Sequence, residues 1–150
     1  MAQEAVGGPD GKVLKLLELH EGRRTFPYRD TVGKLTIGIG FNLDDVGLLP
    51  EEIDFVLRNR VSLVRTRLED VLPVFSTLDE VRQAVLIDMA YNLGTEGLLK
   101  FKMTLNSIRA GRYQEAAEMM LDSRWADQVG RRAYRLAKMM ETGQWPDDLR

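Results

Sequence analysis

Apolar residues recur at helical spacing near the start of the chain. The run from Val13 to Leu19 follows a polar stretch that contains glycine and proline. This spacing predicts a short helix over residues 11–21, with Asp10 as its N-terminal cap. Gly22 stands where glycine commonly ends a helix. The first predicted element is therefore a single amphipathic helix.

The hydrophobic pattern changes period after that helix. Residues 35–41 alternate apolar with small or polar side chains, which is typical of a β-strand. Residues 31–34 have turn composition and follow the aromatic segment 26–30, so the pattern predicts one β-hairpin. Gly38 and Gly40 fall on alternate positions of the second strand. Glycine there would let a bulky ligand approach the bare backbone.

Helical spacing returns from residue 50 and persists to the end of the chain. Pro50 and the acids after it favour a helix start, and the pattern predicts a long helix over 51–71 that ends before Pro73. The sequence from Thr77 to Glu80 resembles a capping box that begins another helix. Later glycines and a serine divide the remainder into about four shorter helices.

These elements together predict an α+β chain that forms a single domain. A small lobe with the hairpin would span about residues 23–50, and a helix over 51–71 would connect it to a helical lobe at about 72–150. The N-terminal helix, 11–21, is expected to pack on the helical lobe. At 150 residues the chain is long enough to bury a full core.

Composition restricts the chemistry that this chain can perform. There is no cysteine and one histidine, which argues against a disulfide framework, a Cys-based zinc site and a Ser-His-Asp triad. The 21 basic residues against 23 acidic ones give a formal net charge of −2, which argues against a nucleic-acid partner. The chemistry is expected to depend on carboxylates, hydroxyls and arginine, without a metal or organic cofactor.

The informative polar residues surround the predicted hairpin. Glu21 stands at the negative end of a helix dipole, which disfavours an anion there and suits a general acid. Asp30 at the hairpin mouth is expected to stay ionised, and the hydroxyl of Thr36 can hold a water beside it. Two carboxylates in different environments with a water-holding hydroxyl suit glycoside hydrolysis. A helix-terminal Glu and a turn Asp with purely structural roles are the alternative interpretation.

The segment from Glu18 to Gly40, ELHEGRRTFPYRDTVGKLTIGIG, resembles the active-site segment of the phage-type lysozymes, glycoside hydrolase family 24, and is similar to that of the T-even phage enzymes. It keeps the Glu, Asp and Thr spacing, the turn glycine and the Thr-Ile-Gly-Ile-Gly strand. The resemblance covers roughly residues 12–146. Further family-like segments lie at 77–82, 89–94, 101, 122–125, 131–133 and 142–145.

The resemblance implies a two-lobed lysozyme fold and a muramidase that cleaves the β-1,4 bond between N-acetylmuramic acid and N-acetylglucosamine. Glu21 would be the general acid, while Asp30 and Thr36 would activate the attacking water with inversion of configuration. Inversion needs carboxyl groups about 6.5–9.5 Å apart. The resemblance also implies substrate-binding residues on the cleft side of the larger lobe: Tyr91, Asn92, Thr104 and Arg132.

The chain departs from the family pattern at three places. Phe41 replaces a histidine on which family members commonly build an ion pair. The segment 42–50 is more than ten residues shorter than in the T-even enzymes. Met119 stands where those enzymes have a polar sugar contact. These differences concern the upper lip of the cleft and one sugar subsite.

The resemblance also implies a partner and a location. The partner would be a peptidoglycan strand, bound by a monomer without stable membrane insertion. The N-terminus has neither a basic start nor an apolar stretch, so no export signal is expected, and the enzyme would stay in the cytoplasm until a holin-type pore releases it. Two alternatives stay open: a lytic transglycosylase, and a catalytically inactive wall-binding phage structural protein.

Overall fold

The computed structural model describes residues 10–150, which divide between Asp54 and Phe55 into two compact units. We call them the N-terminal unit and the C-terminal unit. The loose leader expected over residues 1–9 lies outside the described residues. The elements are α1 (Gly11–Glu21), β1 (Arg24–Arg29), β2 (Leu35–Gly38), β3 (Phe41–Asn42), α2 (Pro50–Val71), α3 (Glu80–Leu93), α4 (Thr95–Leu99), α5 (Lys102–Arg109), α6 (Tyr113–Leu121), α7 (Arg124–Val129) and α8 (Arg131–Thr142).

Helix α1 has the predicted bounds and ends on Glu21. Gly22 follows with a φ of +75°, and its N–H donates to the carbonyl of Glu18 at 2.9 Å. Asp10 stands at the N-cap position as predicted, but its side chain makes no capping hydrogen bond. Its backbone carbonyl instead accepts the N–H of Leu14. The chain thus presents Glu21 at the carbonyl end of the helix.

The predicted single hairpin is a three-stranded antiparallel sheet in the order β1-β2-β3. The predicted strand over 35–41 is interrupted at Ile39 and Gly40, where the chain reverses into β3. Gly38 and Gly40 both have a φ of +68°, a conformation that glycine adopts without steric cost. These two glycines therefore form the tip of a second hairpin.

The C-terminal unit is helical. Helix α2 matches the predicted long helix, and Gly94 follows α3 as expected. The predicted capping box is wrong by two residues, since Asp79 is the cap of α3 and accepts the N–H of Arg82 at 3.0 Å. Gly97 lies inside α4 and not between helices.

Among the described residues, every buried hydrophobic side chain lies between Leu68 and Met140. Phe75 is completely buried. Trp125 is 3% exposed and packs edge-on against Phe101. The core thus belongs to the C-terminal unit. None of the described helices is both long and apolar enough for a membrane crossing.

Candidate active site

Glu21 lies against the tip of the second hairpin in the N-terminal unit. A Cβ placed on Gly40 would come within 2.6 Å of Oε2 and 2.7 Å of Cδ of Glu21. Real Cβ atoms do not approach other atoms so closely, so only glycine at position 40 leaves room for this carboxyl group. The local sequence thus brings the end of α1 onto the β2–β3 turn.

At Gly38, the ring of Phe41 occupies the space that a Cβ would need. A Cβ on Gly38 would collide with the Phe41 ring, which covers the glycine from one side. The expectation that both glycines expose bare backbone to a ligand is therefore wrong. In this structure the chain's own side chains, Phe41 and Glu21, fill the space above Gly38 and Gly40.

Asp30 follows β1 and closes the β1–β2 turn with its side chain. Its Oδ1 accepts the N–H groups of Val32 at 3.0 Å and Lys34 at 2.8 Å. The backbone adds two bonds, from Asp30 N–H to the Lys34 carbonyl and from Gly33 N–H to the Asp30 carbonyl. Such a side chain is typical of an Asx turn. Among residues 10–150, nothing donates to Oδ2, so this oxygen is available to a water or a substrate.

Thr36 lies in β2, paired with Tyr28 of β1. The side chain is 3% exposed, and its hydroxyl donates to the Lys34 carbonyl at 3.0 Å. The hydroxyl oxygen keeps lone pairs that can accept a hydrogen bond. Asp30 and Thr36 are therefore both anchored on the backbone of Lys34, which fixes the two side chains in one turn.

In the C-terminal unit, Arg132 and Tyr91 line one open pocket of about 440 Å³. Arg132 donates through Nε to Oδ1 of Asp88 at 2.7 Å and through Nη2 to the Asp88 carbonyl at 3.3 Å. Asp88 was not expected from the sequence. Its partner Arg132 lies 44 residues later in the chain, so no local pattern indicates the pair.

The other two predicted substrate contacts are already engaged or covered. The side-chain carbonyl of Asn92 accepts the indole N–H of Trp125 at 3.0 Å, which leaves the Asn92 amide nitrogen free for other contacts. Thr104 is 4% exposed and presents almost no surface. A substrate role for Asn92 and Thr104 stays a prediction.

Residues 10–150 contain no group of three or more His, Cys, Asp or Glu side chains placed to hold a metal ion. The chemistry derived for this site uses the carboxylates of Glu21 and Asp30 and the hydroxyl of Thr36.

Comparison with known proteins gives a family and several relatives. The family model described as "Phage lysozyme" matches residues 18–141, which include Glu21, Asp30 and Thr36. Two proteins of Dictyostelium discoideum, named probable T4-type lysozymes 1 and 2, are 26% and 25% identical to this chain. Each alignment covers 85% of this chain and 92% of the relative.

A phage protein with a structural name is also similar. The pre-baseplate central spike protein Gp5 of Enterobacteria phage T4 is 28% identical over 90% of this chain. The aligned region is 28% of Gp5, so the similarity concerns one part of that protein.

Proposed function

The chain belongs to the phage lysozyme family, and from that premise we propose that it is a lysozyme-like muramidase, a glycoside hydrolase acting on peptidoglycan. The bond cleaved is the β-1,4 bond between N-acetylmuramic acid and N-acetylglucosamine. The observation that carries the proposal is that one turn anchors Asp30 and Thr36 on the backbone of Lys34, while the same unit holds Glu21 against Gly40.

Glu21 is the general acid in this proposal. It donates its proton to the glycosidic oxygen as the bond to the anomeric carbon breaks, so that the leaving sugar departs as an alcohol. Asp30 receives a proton from the attacking water through its free Oδ2, and the oxygen of Thr36 accepts a hydrogen bond from the same water. Water thus adds across the glycosidic bond, and no cofactor is consumed.

The proposal includes inversion at the anomeric carbon. A water that attacks from the face opposite the leaving group gives the α-anomer from a β-linked substrate. Proton NMR of the freshly cleaved product distinguishes the two anomers before they equilibrate. An initial β-anomer would overturn inversion while leaving hydrolysis intact.

We further propose a role in host lysis, by a monomer that waits in the cytoplasm until a holin-type pore gives access to the wall. Tyr91 and Arg132 are proposed as contacts to the glycan strand because their pocket combines an aromatic ring with an anchored guanidinium. Asn92 and Thr104 do not line this pocket, and their proposed contacts rest on the family resemblance alone.

Two alternatives compete with this proposal. A lytic transglycosylase needs the acid Glu21 but no water-holding pair, and it produces anhydro-muramic ends that mass spectrometry detects. An inactive phage structural protein is suggested by the likeness to Gp5, which is named as a spike protein. The presence of Glu21, Asp30 and Thr36 together in one unit argues against both.

Clearing of a peptidoglycan suspension tests the proposal directly. Wild-type protein should clear the suspension and release products with reducing ends, whereas Glu21→Gln should lose activity by a factor of about 10²–10⁴, the usual contribution of a general acid. Glu18→Gln is the matched control, because Glu18 lies on the same helix but pairs with Arg23 at 2.6 Å. Equal clearing by Glu21→Gln would overturn the acid assignment.

A further inference from the structure

Just beyond the end of β3, a side chain of the following segment takes over one of the hydrogen bonds that a backbone carbonyl would make to β2. The β2–β3 register, continued by one residue, places Leu35 opposite Leu43. The Leu43 N–H donates to the Leu35 carbonyl at 2.8 Å, and regular antiparallel pairing would return a bond from the Leu35 N–H to the Leu43 carbonyl. Instead, the Leu35 N–H donates to Oδ2 of Asp44 at 2.7 Å. A side-chain carboxylate thus replaces a backbone carbonyl of the sheet.

The same carboxylate also holds β1. Oδ2 of Asp44 accepts Nη1 of Arg29 at 3.2 Å, and that nitrogen also donates to the Gly33 carbonyl at 3.2 Å. Arg29 is the last residue of β1 and Leu35 is the first residue of β2. Asp44 therefore binds both strands at the two points where the turn 30–34 leaves the sheet.

That turn carries the proposed water-activating carboxylate. Oδ1 of Asp30 is fixed by two N–H groups of the turn, those of Val32 and Lys34, so the direction of the free Oδ2 depends on the turn conformation. We propose that Asp44 is a positioning residue for Asp30, one that holds the turn and so sets where Oδ2 meets the attacking water. This inference rests on the proposed function for its catalytic consequence.

The chain after β3 keeps Asp44 in place. The carbonyl of Asn42 accepts the N–H groups of Val46 at 3.3 Å and Gly47 at 3.1 Å, and its side-chain oxygen accepts the Asp45 N–H at 2.9 Å. These bonds close a compact turn with Asp44 inside it. The segment 42–50, which departs from the T-even pattern in length, thus supplies a clamp for the hairpin.

Asp45 provides a control in the adjacent position. Its carboxylate accepts only from side chains, Nζ of Lys34 at 3.0 Å and Nδ2 of Asn42 at 3.1 Å. The hydrogen bond from Lys34, followed by that from Asn42, lowers the pKa of Asp45. Removing this exposed carboxylate leaves every backbone bond of the β1–β2 turn intact.

The test compares Asp44→Ala, Asp44→Asn and Asp45→Asn on soluble peptidoglycan fragments. We expect Asp44→Ala to lower kcat by about ten-fold with little change in KM, since misplacement of a reacting group mainly affects the chemical step. Asp44→Asn keeps an oxygen for the Leu35 N–H and loses the charge that attracts Arg29, so its kcat should be intermediate. Asp45→Asn should match the wild type.

Amide hydrogen exchange gives a readout that does not require activity. Exchange at Val32 and Lys34 should be faster in Asp44→Ala than in the wild type and unchanged in Asp45→Asn. Because the buried hydrophobic side chains lie in the C-terminal unit, Asp44→Ala should keep its melting transition. Wild-type exchange at both amides in Asp44→Ala and Asp44→Asn would overturn the inference whatever the activity.

The activity outcomes separate this inference from the proposed function. If Asp30→Asn is inactive while Asp44→Ala retains the wild-type kcat, the positioning role is wrong and the proposed function stands. If Asp30→Asn is fully active, the proposed role of Asp30 is wrong, and the positioning role of Asp44 fails with it.

Discussion

The two units of this chain are stabilised by different interactions. In the C-terminal unit, apolar side chains such as Phe75 and Met120 are completely buried. In the described part of the N-terminal unit, the only buried residues are Gly11 and Thr36, and the local structure depends on hydrogen bonds, ion pairs and glycine turns. The candidate catalytic residues therefore lie in the unit without a buried apolar core. Substitutions of the candidate catalytic residues should change activity, whereas those of the buried apolar side chains should change stability.

The largest expected effect comes from Asp30→Asn. The amide oxygen can still accept the two turn N–H groups, while the charge that attracts the water proton is lost. Activity should fall by about 10²–10⁴, and the melting temperature should stay close to that of the wild type. Peptidoglycan clearing and thermal unfolding measure the two effects. Asp54→Asn, an exposed acid in α2, is the control. A collapse in stability would mean that Asp30 is structural.

A matched pair of phenylalanines tests the other half of the comparison. Phe75 is completely buried in the C-terminal unit, whereas Phe26 in β1 is 80% exposed. Phe75→Ala should lower the free energy of unfolding by about 3–5 kcal/mol through lost burial and cavity formation, with normal activity per folded molecule. Phe26→Ala should change the stability little. Equal losses, measured by chemical denaturation, would remove the distinction between the units.

Gly40→Ala should damage the site by crowding. Gly40 and Gly47 share a φ of +68°, and a Cβ on Gly47 meets nothing within 4 Å, whereas one on Gly40 meets the Glu21 carboxyl. Both substitutions should cost about 1–2 kcal/mol of backbone strain. Only Gly40→Ala should also lower kcat, by about ten-fold, because it displaces Glu21. Similar kcat values for the two variants would contradict the contact between Glu21 and Gly40.

The sequence predicts those elements whose signals are local. The end of α1 at Glu21 follows from the apolar spacing and from Gly22, and the start of α2 follows from Pro50 and its acidic neighbours. The reversal after Gly38 was missed because alternation predicts a strand whether or not the glycines adopt a positive φ.

The missed roles of Asp44 and Asp88 have a common physical cause. The partner of Asp44 is the N–H of Leu35, nine residues earlier, and that of Asp88 is Arg132, 44 residues later. Neither pairing has a periodic signal in the sequence. The cap of α3 was assigned to Thr77 because Thr77 is followed three residues later by Glu80 and so fits the capping box, whereas Asp79 is followed at that spacing by Arg82. The hydroxyl of Thr77 instead donates to the Val74 carbonyl.

The smallest predicted effect is the contribution of Asp79 to the pH dependence of stability in the C-terminal unit. Burial raises the pKa of its carboxyl group. Hydrogen bonds from the N–H and the guanidinium of Arg82 lower this pKa by more than burial raises it, so the pKa lies below the ordinary value. Because the pKa is lower in the folded state than in the unfolded state, the ionised carboxyl group stabilises the folded state above about pH 4. This contribution is lost as the pH falls from there through the lowered pKa. Asp79→Ala should cost about 1 kcal/mol at neutral pH through loss of the cap.

Asp79→Asn separates the cap from the charge. The amide oxygen can still accept the N–H of Arg82, so this variant should lose less stability than Asp79→Ala at pH 7. It should also approach the wild type as the pH falls below the lowered pKa of Asp79, since protonated Asp is itself uncharged. Arg82 also donates to the carbonyls of Met140 and Glu141, so these bonds should hold the guanidinium in both variants. Denaturant unfolding measures the difference in the free energy of unfolding between Asp79→Asn and the wild type. If this difference does not change with pH, the charge of Asp79 does not stabilise this unit.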